Sequence, residues 1–281
     1  MRTLTVVGNC QAESTRRLLM STGHFASERI TPVHELTAAD MGWFTDLLAR
    51  TDVLVSQPIR NDYRGLPVGS AQMRDLLPAG ARHVLVPVLR YDGLMPYQAI
   101  IRDPDDPSLN PPVVPYHDLR ILAAVARGLD APVEAAPSPA ALRRAAAMSV
   151  AQIRSREQRH GTVVVSGHLE TVPVWHTVNH PDNDTLAVQA RAVLAALGLE
   201  GDVELPDYEM LGELDAPVDA DAAAALGVTV TGRRTWASRS GGTDFSGLAA
   251  QQMEFYRARP KLVAHGLERH AERLDNLGLM P

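Results

Sequence analysis

The chain has 281 residues, 45% of them hydrophobic, with a formal net charge of −6 and one cysteine. This is ordinary globular composition with enough length for a substantial core. The acidic balance excludes bulk nucleic-acid binding, which needs a basic face, but not a local basic pocket. A single cysteine cannot close an internal disulfide. The first residues have no signal-type apolar region, and no run reaches bilayer length. The expectation is a cytoplasmic protein with no membrane span.

A short β-rich run, Leu4 to Val7, ends in Gly8-Asn9-Cys10-Gln11 and is followed by a helix-compatible segment, Ala12 to Met20. Ile30 to His34 reads as a second short strand and Leu36 to Leu48 as a helix. Thr51 to Gln57 is a buried strand stopped by Pro58. A loop from Ile59 to Ser70, a helix through Met73 to Leu77 and a strand from His83 to Leu89 follow. The alternation over residues 1–90 predicts a βαβαβ core with a parallel sheet covered by helices.

Tyr91 to Pro115, rich in Pro and Asp, reads as a long ordered loop. It leads into Tyr116-His117-Asp118 and a helix from Leu119 to Arg127, which Gly128 stops. Ser138 is the expected N-cap of a helix to Arg159. Thr162 to Ser166 reads as a last strand. Asn179-His-Pro-Asp-Asn183 is turn chemistry ahead of a helix from Thr185 to Leu197, with Gly198 as its stop. Short helices are expected at Ala220 to Leu226, Ser246 to Tyr256 and Leu262 to Leu274. No internal repeat or linker interrupts the chain. Residues 91–281 are therefore expected to be a loop-rich, mostly helical part completing one domain over 1–281.

Cys10 stands where a strand hands over to a helix, the kind of strand end at which α/β proteins place ligands. One reading is a small buried hydrophobe. The other is a nucleophile: the helix start lowers the thiol pKa, and the amides of Asn9 and Gln11 with nearby N–H groups form an oxyanion hole. His180 is either a turn residue or a base presented by a rigid turn. His117 is either a loop histidine or a second functional imidazole. Ser56 and Gln57 end another strand on the same sheet edge as Cys10. Arg60 and Arg64, Arg16 and Arg17, and the later Arg154, Arg156 and Arg159 are candidate phosphate partners, although each also suits a solvated face. No HExxH, Cys-x-x-Cys or glycine-rich phosphate motif appears. His176 and His180 are four apart, but Pro181 argues against the helix a metal pair would need, so no metal is expected.

Val7-Gly-Asn-Cys-Gln-Ala12, Ser56-Gln57 after Val53 to Val55, Tyr116-His117 and Asn179-His-Pro-Asp-Asn183 resemble, in motif and order, the WcbI-type polysaccharide-biosynthesis family. Ile153 to Glu157 and Met210 to Pro217 are weaker echoes. The resemblance implies an α/β cradle around a deep coenzyme A pocket. It implies O-acetyl transfer from acetyl-CoA to a sugar or nucleotide-sugar hydroxyl in capsule or other glycan synthesis. Carried over by position, Cys10 and His180 are catalytic and His117 is their partner. Gly8, Asn9, Gln11, Ser56 and Gln57 line the pocket, and Arg60, Tyr116 and Asn183 join them as cofactor contacts. A homo-oligomer is compatible with the resemblance. Two rival readings remain: a thiol esterase, since Gly8-Asn9-Cys10 also resembles the nucleophile block of SGNH-type esterases, and a non-catalytic ligand-binding module.

Overall fold

The computed structural model describes residues 1–281. In chain order its elements are β1 (Arg2–Val7), α1 (Gln11–Ser21), β2 (Phe25–Ala26), α2 (Met41–Leu48), β3 (Val53–Ser56), α3 (Ser70–Asp75), β4 (Arg82–Leu85), β5 (Gln98–Ala99), β6 (His117–Asp118) and α4 (Leu119–Ala126). They continue with α5 (Pro139–His160), α6 (Ser166–Leu169), α7 (Asn183–Leu197), β7 (Leu214–Asp215), α8 (Ala220–Leu226), β8 (Ala237–Ser238), α9 (Leu248–Arg257), α10 (Pro260–Arg269) and α11 (Ala271–Asn276). No helix is long and apolar enough to cross a membrane.

The residues sort into two compact units, each assembled from three pieces of chain. The first comprises Met1–Arg90, Val150–Pro173 and Asn179–Gly212. The second comprises Tyr91–Ser149, Val174–Val178 and Glu213–Pro281.

The first unit holds a four-stranded parallel sheet in the order β2-β1-β3-β4. The α/β class expected from the alternation is therefore present. Leu4 to Val7 are all buried, as in a strand covered on both faces. Side-chain alternation sends Val7 and Leu54 to one face, where they pack in a core with Phe44 and Leu48 of α2 and Met73 of α3. On the opposite face α1 packs against α7, and Gln189 Nε2 donates to Thr15 Oγ1 at 2.9 Å. Asp182 caps α7 by accepting from the Thr185 N–H at 3.0 Å. Gly198 ends it in the left-handed region at φ 69°.

Three strand expectations are corrected. Ile30 to His34 is not a strand: Phe25 and Ala26 occupy the β1 ladder instead. Pro32 lacks a donor, and only Val33 N–H reaches that edge, at Gly8 O. The strand expected from His83 to Leu89 ends at Leu85, before Pro87. Thr162 to Ser166 makes one sheet-like bond, Val163 N–H to Leu85 O. The buried Glu157 carboxylate takes the N–H groups of Val165 and Ser166 at 2.7 and 2.9 Å, which ends any ladder and starts α6.

In the second unit, Leu119, Ile121 and Leu122 of α4 pack with Met253 and Tyr256 of α9, Leu262 of α10 and Leu274 of α11. Each such side chain contributes about 1.5–3 kcal/mol by leaving water. The helix expected from Leu262 to Leu274 is two, α10 and α11, joined at His270. Two antiparallel pairs, β5 with β6 and β7 with β8, complete the unit. Tyr91 to Pro115 is a loop apart from the two residues of β5, and buried Tyr91, Leu94 and Tyr97 anchor it.

Candidate active site

The sheet order places the topological switch point between β1 and β3. From these adjacent strands the chain leaves in opposite directions, to β2 and to β4. Open α/β sheets bind ligands outside the carboxyl ends of such a pair. Those ends are Gly8 to Gln11 and Gln57, so the predicted residues meet at one edge.

Three amides lock this edge. Asn9 Oδ1 accepts from the Gln11 N–H at 2.9 Å, which caps α1, and from Gln57 Nε2 at 3.1 Å. Gln57 Oε1 accepts from the Asn9 N–H at 2.9 Å, and its Nε2 also donates to Gln11 Oε1 at 3.1 Å. Gln11 Nε2 donates to the carbonyls of Leu89 and Asn179, both at 2.8 Å, while its Oε1 accepts from the Leu89 N–H at 3.1 Å. Gln11 is fully buried, and every polar atom of its amide is used. Its expected oxyanion-hole role is therefore corrected: it ties strand ends together and has no donor to spare. Asn9 differs. Both hydrogen bonds at Oδ1 fix its amide orientation, and its NH₂ group has no partner within the chain. Gly8 is required by the same packing, because a Cβ there would lie 2.7 Å from Gln57 Oε1.

Cys10 is half-buried, and its Sγ lies 3.6 Å from His180 Nε2. The peptide carbonyl of Asn179, next to His180, is one that Gln11 holds, so the amide beside Cys10 also ties down the turn that carries His180. The expectation of a lowered thiol pKa is corrected. Burial pushes the Cys10 thiol above its ordinary value, outweighing the N–H groups of Cys10 and Gln11 that favour the thiolate. The thiol is therefore protonated at rest and needs a base. In an alkylation–pH profile the Cys10 midpoint is expected above that of a free thiol. A midpoint below the free-thiol value would contradict this.

Beside Cys10 lies a cavity of about 280 Å³ lined by Gly8, Asn9, Cys10, Arg29 and Met210, among others. Arg16, Arg17 and Glu13 also line it. Both arginines of α1 are paired to Glu13, while Arg29 is exposed and has no partner within the chain. Three guanidinium groups against one carboxylate favour an anionic ligand. Sequence reading missed Arg29, and Met210 entered it only as the start of a weaker family echo. Arg29 carries no motif, and Met210 reaches the wall through a fold-back held by Asn183.

The remaining site candidates are placed otherwise. Ser56 is fully buried, and its hydroxyl hydrogen-bonds His83 on β4 at 2.9 Å, so it faces no cavity ligand. Asn183 is buried and spends its amide on chain: Nδ2 donates to Tyr208 O at 2.7 Å and Oδ1 accepts from the Met210 N–H at 3.1 Å. Arg60 lines a different cavity of the first unit, about 520 Å³, with Arg74, His83 and His160.

Tyr116 and His117 belong to the second unit and line a cavity of about 1080 Å³ there. The Tyr116 hydroxyl pairs with Thr177 Oγ1 at 2.8 Å. His117 is 2% exposed. Its Nε2 lies 3.0 Å from the Ile101 carbonyl, which can only accept, so that nitrogen carries the proton. Its Nδ1 then accepts from the Tyr256 hydroxyl at 2.8 Å. Burial pulls the His117 pKa down to about 4 from 6.5. Between those values the unfolded chain binds a proton that the folded chain refuses. Stability is therefore lost as pH falls through that window, by about 3 kcal/mol in full. Urea denaturation between about pH 7 and about pH 4.5 is expected to show this slope in the wild type and a shallower one in His117→Gln. Equal slopes would refute it.

The family described as polysaccharide biosynthesis enzyme WcbI matches over residues 3–202. No curated protein matches the chain. Among solved structures, one described as WcbI, a novel polysaccharide biosynthesis enzyme, superposes with a TM-score of 0.79 at 16% identity. The match covers 99% of this chain and 98% of that one, and the structure is described as native protein without a disulfide bond between coenzyme A and one of its cysteines. At that identity the likeness establishes the fold.

Proposed function

The chain belongs to the WcbI family of polysaccharide biosynthesis enzymes, and from that premise we propose that it transfers an acyl group, acetyl first among candidates, from an acyl-CoA to a sugar or glycan-precursor hydroxyl. The observation that carries the reading is the 3.6 Å approach of Cys10 Sγ to His180 Nε2 at the switch point. The arginines around the adjoining cavity suit the phosphates of coenzyme A, which is also named in the description of the solved WcbI structure.

In the proposed sequence, His180 takes the thiol proton as Cys10 sulfur attacks the thioester carbonyl. The Asn9 NH₂ group is the chosen donor to the developing oxyanion. The carbon–sulfur bond to coenzyme A breaks, and the proton on His180 goes to the departing sulfur. The sugar hydroxyl then attacks the acyl-Cys10 carbonyl, gives its proton to His180 and releases the thiol, which recovers that proton. His117 has no part in these steps, because both its nitrogens are used within its own unit.

The test is incubation with acetyl-CoA and candidate glycans, with mass spectrometry of both protein and glycan. An acetyl adduct on Cys10 and on the acceptor is the expected result. Hydrolysis of p-nitrophenyl acetate with no binding of coenzyme A would replace this reading with a thiol esterase. Binding without turnover would replace it with a ligand-binding module.

A further inference from the structure

A cavity of the second unit, about 1080 Å³, plays no part in the proton transfers above. Its wall has a rigid aromatic platform. The half-buried Trp236 ring stacks on Tyr116 with centroids 5.6 Å apart and planes 19° from parallel. Tyr116 is itself held by Thr177 and by Gln252, whose Nε2 donates to the Tyr116 carbonyl at 2.9 Å. Phe245 and Tyr97 add apolar surface.

The polar groups of this wall divide into spent and unspent. Arg120 lies over the Tyr97 ring at 4.4 Å and pairs with Asp118 at 2.7 Å, so those charges are used on each other. Arg234 has no partner within the chain. Asp219 uses Oδ1 to cap α8 and keeps Oδ2. Gln252 and Gln98, 0% and 7% exposed, each hold a buried side-chain carbonyl that receives no donor. Such acceptors are costly to bury unsatisfied. The cavity thus offers stacking surface, acceptors, one free cation and one free carboxylate oxygen. A nucleotide phosphate would call for an excess of cations. A pyranose offers an apolar C–H face and many hydroxyls that both donate and accept, in a volume typical of ligand pockets.

We propose that this cavity is a saccharide-binding site, with Trp236 as stacking platform and Asp219 and Arg234 as hydroxyl-binding groups. The ligand class is argued from these groups alone and does not depend on the acyl-transfer reading.

The experiment titrates neutral hexose oligosaccharides into the full chain by calorimetry and tryptophan fluorescence, with coenzyme A as a parallel probe. The wild type is expected to bind the oligosaccharides. Trp236→Ala and Asp219→Asn are expected to weaken that binding about tenfold with coenzyme A affinity unchanged. Asn caps helices as Asp does, so the second variant keeps α8 intact if the first misfolds. Absence of oligosaccharide binding by the wild type, or equal binding by Asp219→Asn and a folded Trp236→Ala, would overturn the proposal. Loss of coenzyme A binding in these variants would instead make the cavity a nucleotide site and also overturn it. Oligosaccharide binding with no turnover of acetyl-CoA would leave this proposal standing and remove the acyl-transfer reading alone.

Discussion

In Cys10→Ala, acyl transfer from acetyl-CoA is expected to fall by about a thousandfold or more, while coenzyme A still binds. The variant removes the sulfur proposed to receive the acyl group but leaves the three amides in place, since none of them bonds to the Cys10 side chain. Cys10→Ser should behave almost as poorly. A hydroxyl is a weaker nucleophile than a thiol, and His180 is set 3.6 Å away to suit a large sulfur. Product mass spectrometry checks both variants. Substantial transfer by Cys10→Ala would mean that the sugar hydroxyl attacks the thioester directly, with His180 as its base.

The second large effect is expected at Gln11. Gln11→Leu keeps the volume and removes four hydrogen bonds at once. It strands the N–H and C=O of Leu89 and one Nε2 hydrogen of Gln57, and takes one bond from the carbonyl of Asn179. Each buried group left unpaired costs about 1–3 kcal/mol, so a loss of about 3–5 kcal/mol is expected after partial relaxation. Urea denaturation followed by far-UV circular dichroism measures it. A loss below about 1 kcal/mol would show that the network relaxes freely or takes in water. Activity should fall as well, because the Asn179 carbonyl is the tie that holds the His180 turn beside the thiol.

The residues of the switch point were legible in the sequence because strand ends are local features. A β-rich run followed by Gly-Asn-Cys-Gln marks an edge without knowledge of any partner. How each side chain is used was not legible, because the partners are distant. Gln57 is 48 positions from Asn9, and Asn179 is 168 from Gln11. A buried amide saturated by such bonds looks, in sequence, the same as one free to bind a ligand. Ser56 shows the same limit, since only the register of β3 on β4 brings His83 to its hydroxyl. The thiol pKa was misjudged for a related reason. The helix start is visible in sequence, but the burial that outweighs it is not. Trp236 and Arg234 carry no motif, and their two-residue strand neighbourhood gives no periodic signal.

That each unit is made of three separate pieces of chain bears on how the protein comes into being. No single scission separates the units, because a fragment carrying one whole, 1–212 or 91–281, also carries pieces of the other, so truncation is a poor tool for dissecting this enzyme. Limited proteolysis should give nicked but associated products. On the ribosome, β1 to β4 are complete by residue 85, yet the first unit lacks the His180 turn and α7 until residue 197 has been made and is whole only at 212. Cys10 is therefore synthesised early and waits, through more than half of translation, for the imidazole that comes to lie 3.6 Å from its sulfur.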